Sequence, residues 1–361
     1  MSTFRQLPFE TISAIVNYID NPYDLYHCTL INTAFYKRAN PKLWHAPTKI
    51  LKLSYYDFVG ILLNGGQINN LRSLPLGHYI RRLDLKMVFD HKMKAAIVLL
   101  FANTPLLEIV TITNKYVPDR HRPFTLVPEY LPIVCPRLQE ISVSGYTDDF
   151  LRNLGNCRQL RTLHLDAMFH DITYDGLASL RNCQLESLTL DAPYWNAIDS
   201  IHDLQQLTRL STLIIMTNDD WNTELAEQLL FLSPQGSTNM AFPRLKKLCF
   251  GEHGGTGAET RTLVHILTAY SQLQDLTIDV ANLDIVQGLV FPHLRFLKLT
   301  ELRDPSAESV RSWINACPAL TYFGYEMYSE DDEFYSYNIS DIQRIRSGEP
   351  LEATHFLFNQ N

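Results

Sequence analysis

Four side chains near the middle of the chain have the chemistry for metal binding or acid–base catalysis. His164, Asp166, His170 and Asp171 supply two imidazoles and two carboxylates within eight residues. Both kinds of chemistry need such groups held at fixed mutual distances. Two of the four alternate along a predicted strand and two follow in a loop, so the pattern fixes no ligand geometry. We therefore expect no metal site here.

The other candidate reactive groups in the sequence also indicate a protein without catalytic activity. Residues 251–257, GEHGGTG, are rich in glycine but lack the lysine and the strand–helix context of a phosphate-binding loop, so a flexible loop is expected. The six cysteines show no metal-ligand pairs, and no serine or cysteine nucleophile signature is present. We expect no enzyme activity and no cofactor.

Composition narrows the class of protein further. The chain has 361 residues, of which 46% are hydrophobic and 19% charged, as in folded proteins. A net charge of −8 argues against a nucleic-acid partner, because phosphates attract a concentration of Lys and Arg. No apolar run reaches the roughly 20 residues of a membrane span. The N-terminus lacks a signal-peptide pattern, so a cytoplasmic and/or nuclear protein with reduced thiols is expected.

One motif recurs through most of the chain: apolar, two residues, apolar, one residue, apolar. The first apolar position moves from Ile80 to Leu320 in nine steps of 21 to 35 residues, about 27 on average, within the usual range for leucine-rich repeats. The ten triplets are Ile80/Leu83/Leu85, Leu107/Val110/Ile112, Leu138/Ile141/Val143, Leu160/Leu163/Leu165, Leu185/Leu188/Leu190, Leu210/Leu213/Ile215, Leu245/Leu248/Phe250, Leu273/Leu276/Ile278, Leu294/Leu297/Leu299 and Leu320/Phe323/Tyr325.

This repeat predicts an α/β solenoid. Residues two apart share one face of a strand, so the last two positions of each triplet point inward from a short strand. Helix-like stretches lie between several triplets, at 92–102, 224–232, 259–270 and 307–316. Stacking such units buries the apolar side of each and produces a curved solenoid with a parallel sheet on its concave side.

Proline and cysteine mark the corner before each strand. Proline stands two residues before the first apolar position in five repeats, where it cannot continue a helix. Cysteine precedes that position in four repeats, at Cys135, Cys157, Cys183 and Cys317. A small thiol is readily buried, so we interpret these cysteines as stacked core positions.

The outward strand residues and the loops after the strands are candidates for binding a protein. The outward residues, which include His164, Asp166, Asp191 and Asp279, are mixed in sign, as a plain solvated strand face would also be. The loops after three successive strands carry large aromatics, which are typical binding anchors. They could instead pack on neighbouring repeats. The loop candidates are Phe169, Tyr194, Trp195 and Trp221.

Residues 7–44 follow a different pattern. Pro8 suits the first turn of a helix, and Phe9, Ile12, Val16 and Ile19 follow at helical spacing. Asn21-Pro22 begins a second helix, and residues 33–39 form a third. Three short helices make a core that is marginal alone, so this segment should lean on a partner or on the first repeat.

This segment resembles the F-box family. The resemblance rests on an ordered set of residues, with Asn32 and Phe35 where serine and tryptophan are frequent in the family. The set is Leu7-Pro8-Phe9-Glu10, Ile15, Ile19, Asp24-Leu25, Cys28, Ile31-Asn32, Phe35 and Pro41-Lys42-Leu43-Trp44. The cysteine-containing repeats also resemble those that are common in F-box proteins.

The resemblance implies a domain order and a role. An F-box at 1–48 would bind the Skp-type adaptor of an SCF cullin–RING ubiquitin ligase. A solenoid of about ten repeats at 49–328 would hold a protein substrate for ubiquitin-dependent degradation. Residues 329–361 would form an acidic loop and a C-terminal cap. Matching positions implicate Leu7, Pro8, Ile15, Leu25, Leu43 and Trp44 in adaptor binding. Ile15 and Leu25 could instead hold the three helices together. The alternative function is a protein-binding repeat scaffold without a ubiquitin role.

Overall fold

The computed structural model describes most of the chain as two compact units, residues 1–160 and 161–361. The described residues are 7–47, 55–65, 74–87, 93–114, 129–166, 175–191, 200–216, 223–232, 239–250, 258–327, 333–349 and 354–357.

The first unit opens with three helices, in the places expected from the sequence. They are α1 (Phe9–Tyr18), α2 (Pro22–Ile31) and α3 (Thr33–Leu43). The side chains of Asn21 and Asn32 cap α2 and α3 by accepting hydrogen bonds from backbone amides of the first turn, which supplies partners for otherwise unpaired N–H groups. A small core of Ile12, Val16, Leu25, Cys28, Phe35 and Ala39 joins the three helices.

Three parallel strands follow in the same unit. Strand β1 (Arg82–Met87) pairs with β2 (Ile109–Asn114), which pairs with β3 (Glu140–Ser144). The helices around them are α4 (Tyr55–Gly65), α5 (Met93–Ala102), α6 (Leu131–Val134) and α7 (Asp148–Asn153). The carbonyl oxygen of His45 accepts the amides of Arg81 and Arg82 at 3.0 and 3.1 Å, so the end of the helical segment supplies acceptors at the start of β1.

The second unit holds seven more parallel strands. They are β4 (Thr162–Asp166), β5 (Ser187–Asp191), β6 (Thr212–Met216), β7 (Lys247–Phe250), β8 (Asp275–Asp279), β9 (Phe296–Leu302) and β10 (Tyr322–Met327). Each pairs with the next in sequence. The helices of this unit are α8 (Ile201–Gln205), α9 (Thr223–Leu230), α10 (Thr260–Ala269), α11 (Ala307–Ala316) and α12 (Ile339–Arg346).

The ten strands coincide with the ten triplets, one strand for each. Every triplet side chain is buried, the most exposed being Tyr325 at 8%. The residues between them on β4, β5 and β6 alternate as partly exposed positions. Parallel strands joined by helices and stacked through buried leucines are the architecture of a leucine-rich-repeat solenoid, which confirms the predicted α/β fold.

The repeats differ in length and in the helix that they contain. The repeat from Leu245 to Leu273 is 28 residues long and has room for the ten residues of α10. The shortest repeat, from Leu273 to Leu294, has no helix between β8 and β9. Its extended segment is held by α11 instead, since Trp313 Nε1 donates to the carbonyl oxygen of Asp284 at 2.9 Å.

The C-terminal end departs from the parallel pattern. Strand β11 (Glu333–Asn338) pairs antiparallel with β10, and β12 (Thr354–Leu357) pairs antiparallel with β11. The sequence predicted an acidic loop and a capping helix here but not these two strands. Helix α12 lies between them and opens with a reciprocal capping box of Asn338 and Asp341.

Candidate functional site

The surface of the first three helices is unusually apolar. The described chain exposes eighteen large hydrophobic side chains, and eight of them lie between residues 7 and 31. These eight are Leu7, Phe9, Ile15, Tyr18, Tyr23, Tyr26, Leu30 and Ile31. Contiguous apolar surface of this kind marks an interaction site more often than a solvated face. Below, this set is called the helical apolar surface.

The adaptor-binding residues expected from the sequence occupy different environments. Leu7 is 52% exposed, Ile15 is 38% exposed, and Pro8 is exposed beside them. Leu25 is 3% exposed and belongs to the three-helix core, the alternative that the sequence left open. Leu43 is partly buried against the same core. Trp44 is also partly buried, and its ring stacks on Phe58 of α4 at 6.4 Å between centroids.

Polar contacts hold the three helices in place beneath this surface. Lys42 Nζ donates to the carbonyl oxygen of Asn17 at 2.8 Å and pairs with Asp20 at 3.0 Å. The cation therefore satisfies the C-terminal end of α1, where carbonyl groups lack helical partners. The guanidinium of Arg38 lies 4.1 Å from the ring centroid of Phe9. Ile15 is thus carried by a fixed helix, and Leu7 lies two residues before that helix begins.

The second candidate surface is the outward strand face of the second unit. Strand pairing places equivalent residues side by side, so the face consists of rows that cross neighbouring strands. Asp166 of β4 lies in register with Asp191 of β5, and His164 lies in register with Thr189. Adjacent strands are roughly 4.8 Å apart, so Asp166 and Asp191 put two like charges close together at the end of their strands.

The other substrate-binding candidates cannot be placed in the same way. Phe169, Tyr194, Trp195 and Trp221 lie outside the described residues, as do His170 and Asp171. The described chain contains no group of three or more side chains able to hold a metal ion. His164, Asp166 and Asp191 remain together on one face, at partly exposed positions.

Asp279 was expected on the outward face, and this prediction was wrong. Its side chain is 3% exposed and accepts a hydrogen bond from the hydroxyl of Thr300. The backbone carbonyl of Asp279 also accepts the amide of Ala258 at 2.8 Å. Ala258, which lies between β7 and β8, and Thr300 of β9 thus contact the end of this strand, which strict alternation of strand residues does not take into account.

An aromatic pair was missed by the sequence interpretation. The rings of Phe296 on β9 and Tyr322 on β10 stack with centroids 4.5 Å apart and planes 6° from parallel. Both are partly exposed outward residues, in register across the two strands. Burial raises the pKa of the Tyr322 phenol, so this group stays a neutral donor. The signal was present in the sequence as an aromatic residue directly before the second triplet position.

A polar cavity of about 560 Å³ lies elsewhere in the second unit. Its lining combines Arg261 and Arg303 with Glu259, Asp284 and Asp304, so charges of both signs face it. Asp304 has a φ of 40°, a left-handed conformation that costs a residue other than glycine some backbone energy. Three carboxylates and two guanidinium groups in one cavity do not select one class of ligand.

Comparisons with known proteins found solved structures of low sequence identity. No protein-family model and no curated protein matches the chain. The leucine-rich-repeat domain of APL1B is 15% identical, with 76% of this chain and 79% of that chain covered and a TM-score of 0.34. A leucine-rich-repeat protein of Leptospira interrogans is 13% identical, covering 77% and 83%, with a TM-score of 0.33. An internalin of Listeria monocytogenes is 12% identical, covering 73% and 94%, with a TM-score of 0.24.

The strand ladder itself carries the fold assignment. With TM-scores this low, the similarity to these structures carries no argument about what this chain binds. None of the helices within the described ranges combines the length and the apolar character needed to span a bilayer.

Proposed function

We propose that this chain is the substrate-recognition subunit of an SCF-type cullin–RING E3 ubiquitin ligase. In this role the N-terminal helices bind a Skp-type adaptor, and the repeats bind a protein substrate whose lysines receive ubiquitin from a separate enzyme. The chain itself performs no catalysis and needs no cofactor. It would act in the cytoplasm, the nucleus or both.

The helical apolar surface is the observation that carries the proposal. Ile15 on α1 and Leu7 just before it are exposed apolar side chains, and the core of the three helices is only six residues. A solvated helical segment would be expected to keep such positions polar. A partner that covers them would bury apolar area at about 25 cal/mol per Å². Of the six residues that the F-box resemblance assigns to the adaptor, Leu7, Pro8 and Ile15 are exposed, Leu43 and Trp44 are partly buried, and Leu25 belongs to the core of the three helices.

The repeats supply a separate surface for the substrate. The outward face of β4 and β5 presents His164, Asp166 and Asp191 on a rigid sheet, and the loops that follow these strands and β6 carry Phe169, Tyr194, Trp195 and Trp221 in the sequence. Aromatic anchors beside charged groups are typical of protein-binding hot spots. Adaptor and substrate would therefore bind through different residues.

A scaffold without a ubiquitin role is the competing function. It uses the same repeat surface, but it leaves the helical apolar surface without an assigned partner. Binding of the adaptor distinguishes the two functions directly.

Co-purification with a Skp-type adaptor tests the proposal. The full-length chain should elute with the adaptor as a stable complex in size-exclusion chromatography. A folded chain that fails to bind any Skp-type adaptor in titration calorimetry would leave the repeat scaffold as the function. An Arg209→Ala variant, changed at an exposed residue of the repeats, is the matched control and should bind like the unchanged chain.

A further inference from the structure

Aromatic side chains occupy one row of the outward strand face only at its C-terminal end. In register order this row reads Thr162, Ser187, Thr212, Lys247, Asp275, Phe296 and Tyr322. The first five residues are polar or charged, as a solvated sheet face requires. The last two are aromatic, partly exposed and stacked on each other. Large rings at a solvated position are typical of binding anchors.

A glycine on the same face makes room for this pair. A Cβ atom at Gly324 would lie 2.8 Å from the hydroxyl of Tyr322 and 3.0 Å from the nearest ring carbon. Glycine weakens a strand interior, and its presence often marks a close approach by another group. Here it lets the ring of Tyr322 lean along β10 while the ring stays stacked on Phe296.

Carboxylates flank the aromatic pair. Asp275 lies in register on the side of Phe296 opposite to Tyr322, and Glu326 lies on the same face of β10, two residues beyond Gly324. Two cations lie on this face: Lys247 is exposed and in register with Asp275, and Lys298 has its Nζ 5.9 Å from the centroid of the Phe334 ring. A ring beside a carboxylate suits a guanidinium, which stacks on the ring and donates to the carboxylate.

The net charge of the second unit also favours a positively charged partner. Residues 161–361 contain 13 Lys and Arg against 27 Asp and Glu, a formal net charge of −14. Residues 1–160 contain 18 against 12, which gives +6. A field of this sign concentrates basic segments near the repeats of the second unit and repels acidic ones.

We infer that the outward face of β8, β9 and β10 is a docking site for an arginine-bearing segment of a protein partner. The guanidinium lies on the exposed face of Phe296 and donates to Asp275, while Tyr322 supports Phe296 from the other side. The inference deepens the substrate-binding part of the proposed function and names the chemistry of the substrate. It does not depend on the adaptor.

Fluorescence anisotropy with synthetic peptides tests the site in the full-length chain. The probes are three labelled glycine–serine peptides of equal length that carry two arginines, two lysines or two glutamates. The arginine peptide should bind at least about tenfold more tightly than the glutamate peptide. It should also bind more tightly than the lysine peptide, because a planar guanidinium can stack on a ring while its N–H groups donate to a carboxylate in the plane of the guanidinium. Equal binding of all three, or tighter binding of the glutamate peptide, would overturn the inference.

Three variants separate the site from general charge attraction. Phe296→Thr with Tyr322→Thr introduces a residue that this row already contains and leaves every charge in place, so about a tenfold loss of affinity is expected. Asp275→Asn should reduce affinity for the arginine peptide more than for the lysine peptide. Leu74→Thr removes an apolar side chain that is 56% exposed in the first unit and lies outside the helical apolar surface, so it should change nothing.

Circular dichroism establishes that each variant is folded. If the double variant does not fold, Asp275→Asn still tests the site. Unchanged arginine-peptide affinity in either folded variant contradicts the docking site. Adaptor binding, measured on the same preparations, reports separately on the proposed function, so failure of one does not imply failure of the other.

Discussion

The thiol of Cys157 lies 3.8 Å from the backbone carbonyl oxygen of Cys135, one repeat earlier in the chain. Both cysteines are fully buried, and Cys135 itself contacts the carbonyl of Thr104 at 3.5 Å. Equivalent cysteines of consecutive repeats therefore stack through the chain at the corner before each strand. Their thiols act as small, weak donors to backbone groups of the preceding repeat.

Burial of these thiols predicts a loss of stability at high pH. Burial raises the pKa of Cys135 and of Cys317 to about 12 from an ordinary value of 9.0. Since the folded pKa is the higher one, unfolding releases protons above pH 9, and the free energy of unfolding should fall as pH rises from about 9 to 12. Urea unfolding at pH 8 and pH 10 measures this. Cys135→Ala should show a smaller fall, and an identical fall would assign the effect to other groups.

The helical apolar surface predicts how adaptor binding responds to mutation. Changing Leu7 and Pro8 together to alanine should weaken adaptor binding by at least about thirtyfold, or about 2 kcal/mol, because both side chains are exposed and available as interface anchors. Calorimetric titration measures the affinity, and circular dichroism should show an unchanged repeat fold. Wild-type affinity in the folded variant would place the contact elsewhere on the surface.

Replacing Leu25 should lower the stability of the three helices, whereas replacing Leu7 and Pro8 should lower adaptor affinity. Because it is 3% exposed in the core of six residues, Leu25→Ala should destabilise the three helices by about 2–5 kcal/mol. Loss of hydrogen-exchange protection in residues 9–43 would report this. If protection stays at the wild-type level while adaptor affinity drops, Leu25 is an interface residue and its place in the core is incidental.

The aromatic loops predict a separable defect in substrate binding. Replacing Phe169, Trp195 and Trp221 with alanine should reduce substrate capture and leave adaptor affinity unchanged, since the two functions use different segments. Affinity capture of ubiquitylation substrates from cells, compared with adaptor titration, measures both. Unfolding of the triple variant would identify these aromatics as core residues, and normal capture would leave the strand face as the substrate site.

The capping box at the C-terminal end predicts a modest effect. Asn338 accepts hydrogen bonds from the amides of Ser340 and Asp341, so Asn338→Ala should cost about 1 kcal/mol of stability. Asn338→Asp keeps the acceptor oxygen and serves as the control. Equal midpoints of urea unfolding for the alanine variant and the wild type would show that α12 folds independently of its cap.

Local pattern alone determined the repeat and four of the helices between repeats, α5, α9, α10 and α11. The spacing of apolar residues located all ten parallel strands, because a strand must turn every second side chain to the core and each repeat must bury that side against its neighbour. The same reasoning located three helices in residues 7–44, where Pro8, Asn21 and Asn32 mark their starts.

Only the tertiary structure decided which neighbour each side chain meets. Asp279 is buried where it meets Ala258 and Thr300 of other segments, and Leu25 lies in the core because α1 and α3 pack against it. The stacking of Phe296 on Tyr322, 26 residues apart, depends on the register of β9 with β10, and the antiparallel strands β11 and β12 depend on a free sheet edge. Periodicity assigns a residue to a face of its own element, whereas contacts between elements follow from packing over long separations in sequence.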